Sequence, residues 1–140
     1  MFTGPIEDRL KIRERFDSYS DAVSRIALDD YLLCWTDDPI RLGTGGEFRG
    51  VDQLRAHWDG IWRAVDTMAF VTQIGAIEIS GQDAHARSYC QETLRFRNGQ
   101  TQQLVGAYTD ELKCVNGDWL FSKRTYRVHI AADPAAGRHR

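Results

Sequence analysis

Tyr89 and Gln91 stand two apart in one β-rich run, and Tyr108 stands in the next. Residues two apart on a strand share a face, so the phenol and the amide can point together at one bound molecule. An N–H or O–H held in an apolar site can donate to a carbonyl or a leaving group and stabilise the negative charge that develops there. Tyr108, Tyr89 and Gln91 are therefore the candidate catalytic donors. Tyr19, Tyr31 and Tyr126 are further phenols within reach of the same interior. The competing reading for all of them is core packing, with each hydroxyl satisfied at the rim or by a backbone carbonyl.

Carboxylates and imidazoles come next. Asp110 and Glu111 are adjacent on a strand, so at most one faces inward, and that one is expected to pair with Arg124 or Lys113 across the sheet. Asp21 follows Tyr19 by two residues on a helix, which turns it onto a different face and into solvent. Of the four histidines, His57 is expected at the surface or an interface, and His85, alternating with Ala84 and Ala86, at an exposed edge. His129 and His139 lie near the C-terminus and are poor site candidates. Gly43-Thr44-Gly45-Gly46 lacks the third glycine and the strand–helix setting of a dinucleotide loop. No Gly-x-Ser-x-Gly elbow is present. Asp29-Asp30 and Asp37-Asp38 have no nearby histidine and read as solvated turns, so neither a metal nor a cofactor is expected. Cys90 has no adjoining cation to lower its pKa.

These residues need elements to hold them. Pro5, followed by Glu7 and Asp8, suits a helix start, and Ile6, Leu10, Arg13, Phe16, Tyr19, Val23 and Ile26 recur at helical spacing. A shorter helix is predicted from Leu28 to about Trp35, ended by Asp37-Asp38-Pro39 because the residue before a proline avoids the helical region. Two short strands should flank Gly43–Gly46, and Gly50 should lead into a third helix with Val51, Leu54, Trp58, Ile61, Trp62 and Val65 as its apolar stripe. Four β-rich runs follow: 70–79, 84–96, 102–115 and 119–130. Asn98-Gly99 and Asn116-Gly117 fall between them, and Asn-Gly is a strong hairpin signal because both residues accept positive φ. Helices first and an antiparallel meander afterwards predict an α+β fold, with the sheet curled around the first helix.

The bulk numbers agree with one domain. A chain of 140 residues with 42% hydrophobic and 27% charged content can bury one core and no second one of similar size. A net charge of −2 gives no basic patch for nucleic acid. No apolar run reaches the roughly 20 residues of a membrane helix. The N-terminus lacks a basic-then-apolar leader, and Cys34, Cys90 and Cys114 show no CxxC spacing, so a cytoplasmic protein with reduced thiols is expected. Residues 1–130 are read as the domain and 131–140 as a frayed tail.

Tyr19 with Ala22, Trp35, Asp37-Asp38, Gly50 with Trp58, Gly81–Ala84, Gly106–Asp110 and Asp118-Trp119-Leu120-Phe121 with Arg124 occur in an order that resembles the SnoaL-like family of the NTF2-like superfamily. The resemblance implies a cone-shaped, cystatin-like fold and, among its members, similarity to scytalone-dehydratase-like and hexachlorocyclohexane-dehydrochlorinase-like enzymes. Those enzymes use a strand histidine oriented by a helix aspartate. Here the corresponding positions hold Phe70 for the histidine and Ala27 for the aspartate, with Ser24 at a second family aspartate. The dyad mechanism is accordingly not carried over.

The expected site is an apolar pocket between the first helix and the sheet, lined by Tyr19, Val23, Ala27, Tyr31, Trp35, Trp58, Trp62, Phe70, Tyr89, Gln91, Tyr108 and Tyr126. Its ligand is expected to be a small hydrophobic ring compound with one or two polar handles. The family resemblance implies a cofactor-independent lyase or isomerase. The alternative is a non-catalytic binding protein or an accessory homodimer joined through the outer sheet face. A titratable group inside the pocket, with a partner that perturbs it, separates the enzyme from the binder.

Overall fold

The chain opens with a two-residue strand, Phe2–Thr3 (β1). Helical spacing then produces α1 (Ile6–Ser24), but its buried stripe is Ile12, Phe16, Tyr19, Ala22 and Val23. Ile6 and Leu10, expected on that stripe, are exposed. At about 100° per residue, Ile12 lies only about 40° around the helix from Phe16, whereas Leu10 lies about 120° away. The helix closes with Ile26 at φ 55°, its N–H bonded to Val23 O and that of Ala27 to Ala22 O. This is the Schellman arrangement, here built without its usual glycine. The computed structural model describes residues 1–132.

The second helix is shorter than predicted. It spans Leu28–Leu32 (α2), and Trp35 opens a strand, Trp35–Gly43 (β2). Asp37-Asp38-Pro39 sits inside that strand, where the register against its neighbour slips between Trp35 and Ile40. A proline is tolerated there because the bulge asks no ladder hydrogen bond of it. Gly46–Arg49 pairs back on β2 as a hairpin (β3), and Val51–Ala64 forms α3.

Four long strands complete the chain: Val65–Ser80 (β4), Asp83–Phe96 (β5), Thr101–Val115 (β6) and Asp118–Ala131 (β7). They form the expected antiparallel meander, with β4 beginning at Val65 rather than Phe70. Asn116 and Gly117, at φ 52° and 85°, make the β6–β7 hairpin as their sequence demands. Two parallel pairings have no local signal in the sequence: β2 joins β7, and β1 joins β4 at the other edge of the sheet. Ala131 closes β7, and residues 133–140, including His139 and the rest of the predicted tail, lie outside the described residues. Among the described residues no helix is long and apolar enough to cross a membrane.

The sheet curls around α1, and its inner face is aromatic. Phe16 meets Phe121 edge-on at 5.0 Å between centroids, and Tyr19 lies 5.5 Å from Phe121 and 6.0 Å from Phe70. Tyr31 sits between α1 and α3, with Trp35, Trp58 and Trp62 around it. Its hydroxyl accepts from Trp58 Nε1 and lies 3.4 Å from the Tyr19 hydroxyl. Within this core Arg124 is fully buried, its guanidinium 3.7 Å from the Tyr108 centroid and 4.4 Å from that of Tyr19. Asp110 receives it bidentately, Nε at 2.7 Å and Nη2 at 3.1 Å. The inward carboxylate of the Asp110-Glu111 pair is thus Asp110, and its partner is structural. Burial pushes the Asp110 carboxyl upward, against the pull of the Arg124 charge.

Candidate functional site

Alternation along β5 decides what the interior contains. Ala84, Ala86, Ser88, Cys90, Glu92 and Leu94 are buried, and every residue between them is exposed. Tyr89 and Gln91 therefore point away from the cone. Tyr89 is 37% exposed and its ring lies 5.5 Å from that of His129 on the outer face. The register explains the correction: Tyr108 on β6 opposes Ser88 on β5 and Tyr126 on β7, so the inward phenols share a face with the even-numbered residues of β5.

The residue this brings inside is Glu92, which a tyrosine-centred reading of the sequence misses. It is 8% exposed, and its Oε2 accepts the Tyr126 hydroxyl at 2.7 Å. Cys90 Sγ, 3.8 Å away, is a weaker donor to the same oxygen. Burial pushes the Glu92 carboxyl above its ordinary range, opposed by the Tyr126 hydrogen bond and the positive charge of Arg41. In return, burial and the carboxylate raise Tyr126, so it remains a neutral donor. The Cys90 thiol, pushed up to about 12 chiefly by burial, is inert.

Gly106 makes the Glu92–Tyr126 bond possible. A Cβ at this position would stand 2.2 Å from Tyr126 Cε2 and 2.8 Å from Cys90 Sγ. The Tyr126 ring crosses the bare backbone of β6 on its way from β7 to β5. Any side chain would block it.

Glu92 and Tyr126 line a cavity of about 310 Å³ between α3 and the open end of the sheet, together with Arg41, His57, Trp58 and Met68. Leu94, Leu104 and Val128 extend its apolar wall. Arg41, delivered by β2, is 4% exposed, with its guanidinium 5.1 Å from the Trp58 centroid and 5.5 Å from that of Tyr126. Its Nε and Nη1 have no hydrogen-bond acceptor among the described residues. His57 stacks on Phe48 at 3.9 Å, and burial together with Arg41 lowers its pKa to about 4. Expected at the surface or an interface, it forms part of the cavity rim as a neutral imidazole. A wider depression of about 720 Å³ beside the β5–β6 turn is lined by no titratable side chain among the described residues. The groove of about 520 Å³ near Asp37 and Asp38 is bordered by charged side chains, none of them buried.

Of the residues expected to line the pocket, Trp58 and Tyr126 border this cavity. Tyr19, Val23, Tyr31, Trp35, Trp62, Phe70 and Tyr108 are buried in the packed core, and Ala27 is half-buried at the start of α2. The space between α1 and the sheet is filled by aromatic rings, which moves the cavity toward α3. Phe70, in place of a strand histidine, donates its backbone N–H to Ser24 Oγ at 3.1 Å. The Ser24 hydroxyl thus holds the backbone of β4 at Phe70. Among the described residues no group of three or more His, Cys, Asp or Glu gathers to bind a metal.

Comparison with known proteins bears on this architecture. Residues 5–125 match the SnoaL-like domain family. Curated proteins give no match. Among solved structures, a protein from Novosphingobium aromaticivorans provisionally assigned as an aromatic ring hydroxylase superposes with a TM-score of 0.86 at 20% identity, covering 93% of this chain and 96% of that one. A second protein of that organism, provisionally assigned as a scytalone dehydratase, gives 0.85 at 20% identity over 91% and 88% of the two chains. A type-3 hexachlorocyclohexane dehydrochlorinase from Novosphingobium barchaimii gives 0.80 at 17% identity over 91% and 90%. At these identities the three share the fold. With the family match spanning most of its length, the chain belongs to the SnoaL-like domain family and has its cone-shaped, NTF2-like α+β fold.

Proposed function

We propose that this protein is a cofactor-independent lyase or isomerase that moves a proton on a small, hydrophobic, ring-containing molecule held between α3 and the sheet. The observation that carries this reading is Glu92, a buried carboxylate facing the cavity with Tyr126 bound to it at 2.7 Å. A general base works best when its pKa approaches the working pH, and burial moves Glu92 in that direction. Tyr126 fixes which oxygen is engaged and leaves Oε1 for substrate. Arg41, itself buried, adds positive charge to the same cavity wall, and fixed charge stabilises a developing anion best where it is shielded from water.

The chemistry balances without a further reactant. Glu92 takes a proton from carbon beside a carbonyl, and the electron pair moves onto the carbonyl oxygen, whose charge Arg41 offsets. Returning the proton to a different carbon is isomerisation. Expelling a β-leaving group from the enolate is elimination, and there the protonated carboxyl of Glu92 passes its proton to the departing group. The neighbours named as a dehydratase and a dehydrochlorinase support the elimination class. Phe70 and Ala27 support a proton acceptor on a different wall from theirs.

A non-catalytic binding protein is the second reading, favoured by the closed Ser24–Phe70 contact. One experiment separates the two. Cyclic enones and aryl ketones are incubated in D₂O and followed by proton NMR. The enzyme reading expects catalysed α-proton exchange by the wild type, reduced roughly a hundredfold or more in Glu92→Gln. Binding without exchange supports the non-catalytic reading.

A homodimer formed through the outer sheet face fits the same molecule. Val71, Gln91, Val105 and Ile130 stand in one register row across four strands, and Val71 and Ile130 are 64% and 61% exposed. Light scattering of wild type and Val71→Lys tests it, the variant being expected monomeric. The free thiols of Cys34, Cys90 and Cys114 suit a cytoplasmic setting.

A further inference from the structure

We infer that the ligand of this cavity is an organic anion, a one- or two-ring carboxylate or its equivalent, and that Arg41 reads the charge. The inference rests on the proposed site and adds the chemical class of its substrate.

Two arginines are buried among the described residues, and they differ in one respect. Arg124, 1% exposed, has both oxygens of Asp110 on its Nε and Nη2. Arg41, 4% exposed, has neither a salt bridge nor, at Nε and Nη1, an acceptor among the described residues. Its guanidinium carbon lies over the rings of Trp58 and Tyr126, which attract the cation but carry no counter-charge. A guanidinium stays protonated under all ordinary conditions, so burial cannot be relieved by neutralising it. Such a charge is strongly disfavoured until an acceptor arrives.

The described residues supply no acceptor to those two nitrogens, and the groups nearest the guanidinium are phenols, Tyr108 first among them. Glu92 is the sole carboxylate among the described residues lining the cavity, and its hydrogen-bonded oxygen is occupied by Tyr126 and Cys90. Of the buried side-chain polar atoms left without a partner among the described residues, the two Arg41 nitrogens belong to a residue lining this cavity, and both are donors; Trp35 Nε1 and Trp62 Nε1 lie in the packed core. A ligand that satisfies this interior brings acceptors. A carboxylate matches a guanidinium in charge and hydrogen-bond direction. Trp58, Met68, Leu94 and Leu104 form the apolar wall for the ring, and about 310 Å³ limits it to one or two rings.

The test compares two ligands of nearly the same shape, 2-naphthoate and 2-naphthamide, by isothermal titration calorimetry at pH 8. Wild type is expected to bind the anion about tenfold or more tightly than the amide. Arg41→Gln is expected to abolish that preference, and Arg41→Lys to keep part of it. Equal affinities in the wild type, a preference for the amide, no binding of either at millimolar concentration, or an unchanged preference in a folded Arg41→Gln each overturn the inference. The wild-type comparison decides the matter even if Arg41→Gln does not fold. Failure here with α-proton exchange intact means a neutral substrate. Anion preference without exchange means a non-catalytic carrier of acids.

Discussion

The Tyr126 hydroxyl donates to Glu92 Oε2 at 2.7 Å across the intervening strand, passing over Gly106 where no side chain intrudes. Three strands therefore cooperate in one hydrogen bond: β7 supplies the donor, β5 the acceptor and β6 the gap. This bond places a buried carboxylate on the wall of the cavity and is the centre of the functional account.

Glu92 should make the protein less stable than it could be. Its folded pKa lies above the ordinary 4.5, so the folded state holds the proton more tightly than the unfolded one. That contribution is fully present below the unfolded value and is lost as pH rises through the folded value. Glu92→Gln removes the loss. The variant is expected to melt above wild type at pH 8, with the difference shrinking as pH falls toward 4.5. A wild type that is the more stable at pH 8 would contradict this.

Gly106→Ala should displace the Tyr126 ring, because the new methyl would stand 2.2 Å from Cε2. Overpacking of this kind costs about 1–3 kcal/mol. Chemical denaturation measures the loss. Unchanged stability would mean that Tyr126 has another way to lie, and that Gly106 does not define the site.

Breaking the Asp110–Arg124 pair should be far more costly than losing an exposed one. Asp110→Asn leaves a guanidinium buried among Phe16, Tyr19, Tyr108 and Phe121 without its counter-charge. The expected cost is about 3–5 kcal/mol. The double variant Asp110→Leu with Arg124→Met should recover most of it, since no charge remains to desolvate. A double variant as unstable as the single one would show that the pair contributes more than compensation for its own burial.

Acid should weaken the rim of the cavity. The folded pKa of His57 is about 4, below its ordinary 6.5, so the unfolded state binds the proton first as pH falls. Stability from this group is present above 6.5 and is lost progressively toward 4. His57→Phe keeps a ring against Phe48 and has no proton to bind. Its denaturation midpoint should fall less than that of wild type between about pH 8 and pH 4.5. Parallel pH profiles for the two proteins would assign the acid sensitivity elsewhere.

Most of this architecture is legible in the sequence because local chemistry dictates it. Asn116-Gly117 sets the closing hairpin, the Leu54–Trp58–Trp62 stripe of α3 turns toward the core, and the inward member of Asp110-Glu111 meets Arg124 as cross-strand pairing requires. The site is within reach on β5 alone: Ala84, Ala86, Cys90 and Leu94 are apolar at every second position bar two, while the odd-numbered residues are His85, Arg87, Tyr89, Gln91, Thr93 and Arg95. That parity turns Glu92 inward and Tyr89 outward, and weighing a tyrosine above the alternation reverses it. Arg41 is different. Its place depends on the parallel pairing of β2 with β7 and on the slip across Asp37–Pro39, neither of which leaves a local signature.

Proton transfer in this cavity depends most directly on the ionisation of Glu92. Carbon-13 labelling of the glutamates and an NMR titration of the Glu92 carboxyl, assigned by its absence in Glu92→Gln, measures it without a choice of substrate. The predicted result is a carboxyl that titrates above 4.5 in wild type and higher still in Tyr126→Phe, where the donor that favours the charged form is gone. A Glu92 that titrates at or below 4.5, or one indifferent to Tyr126, would describe an ordinary solvated carboxylate and would contradict the proposal that this cavity moves a proton.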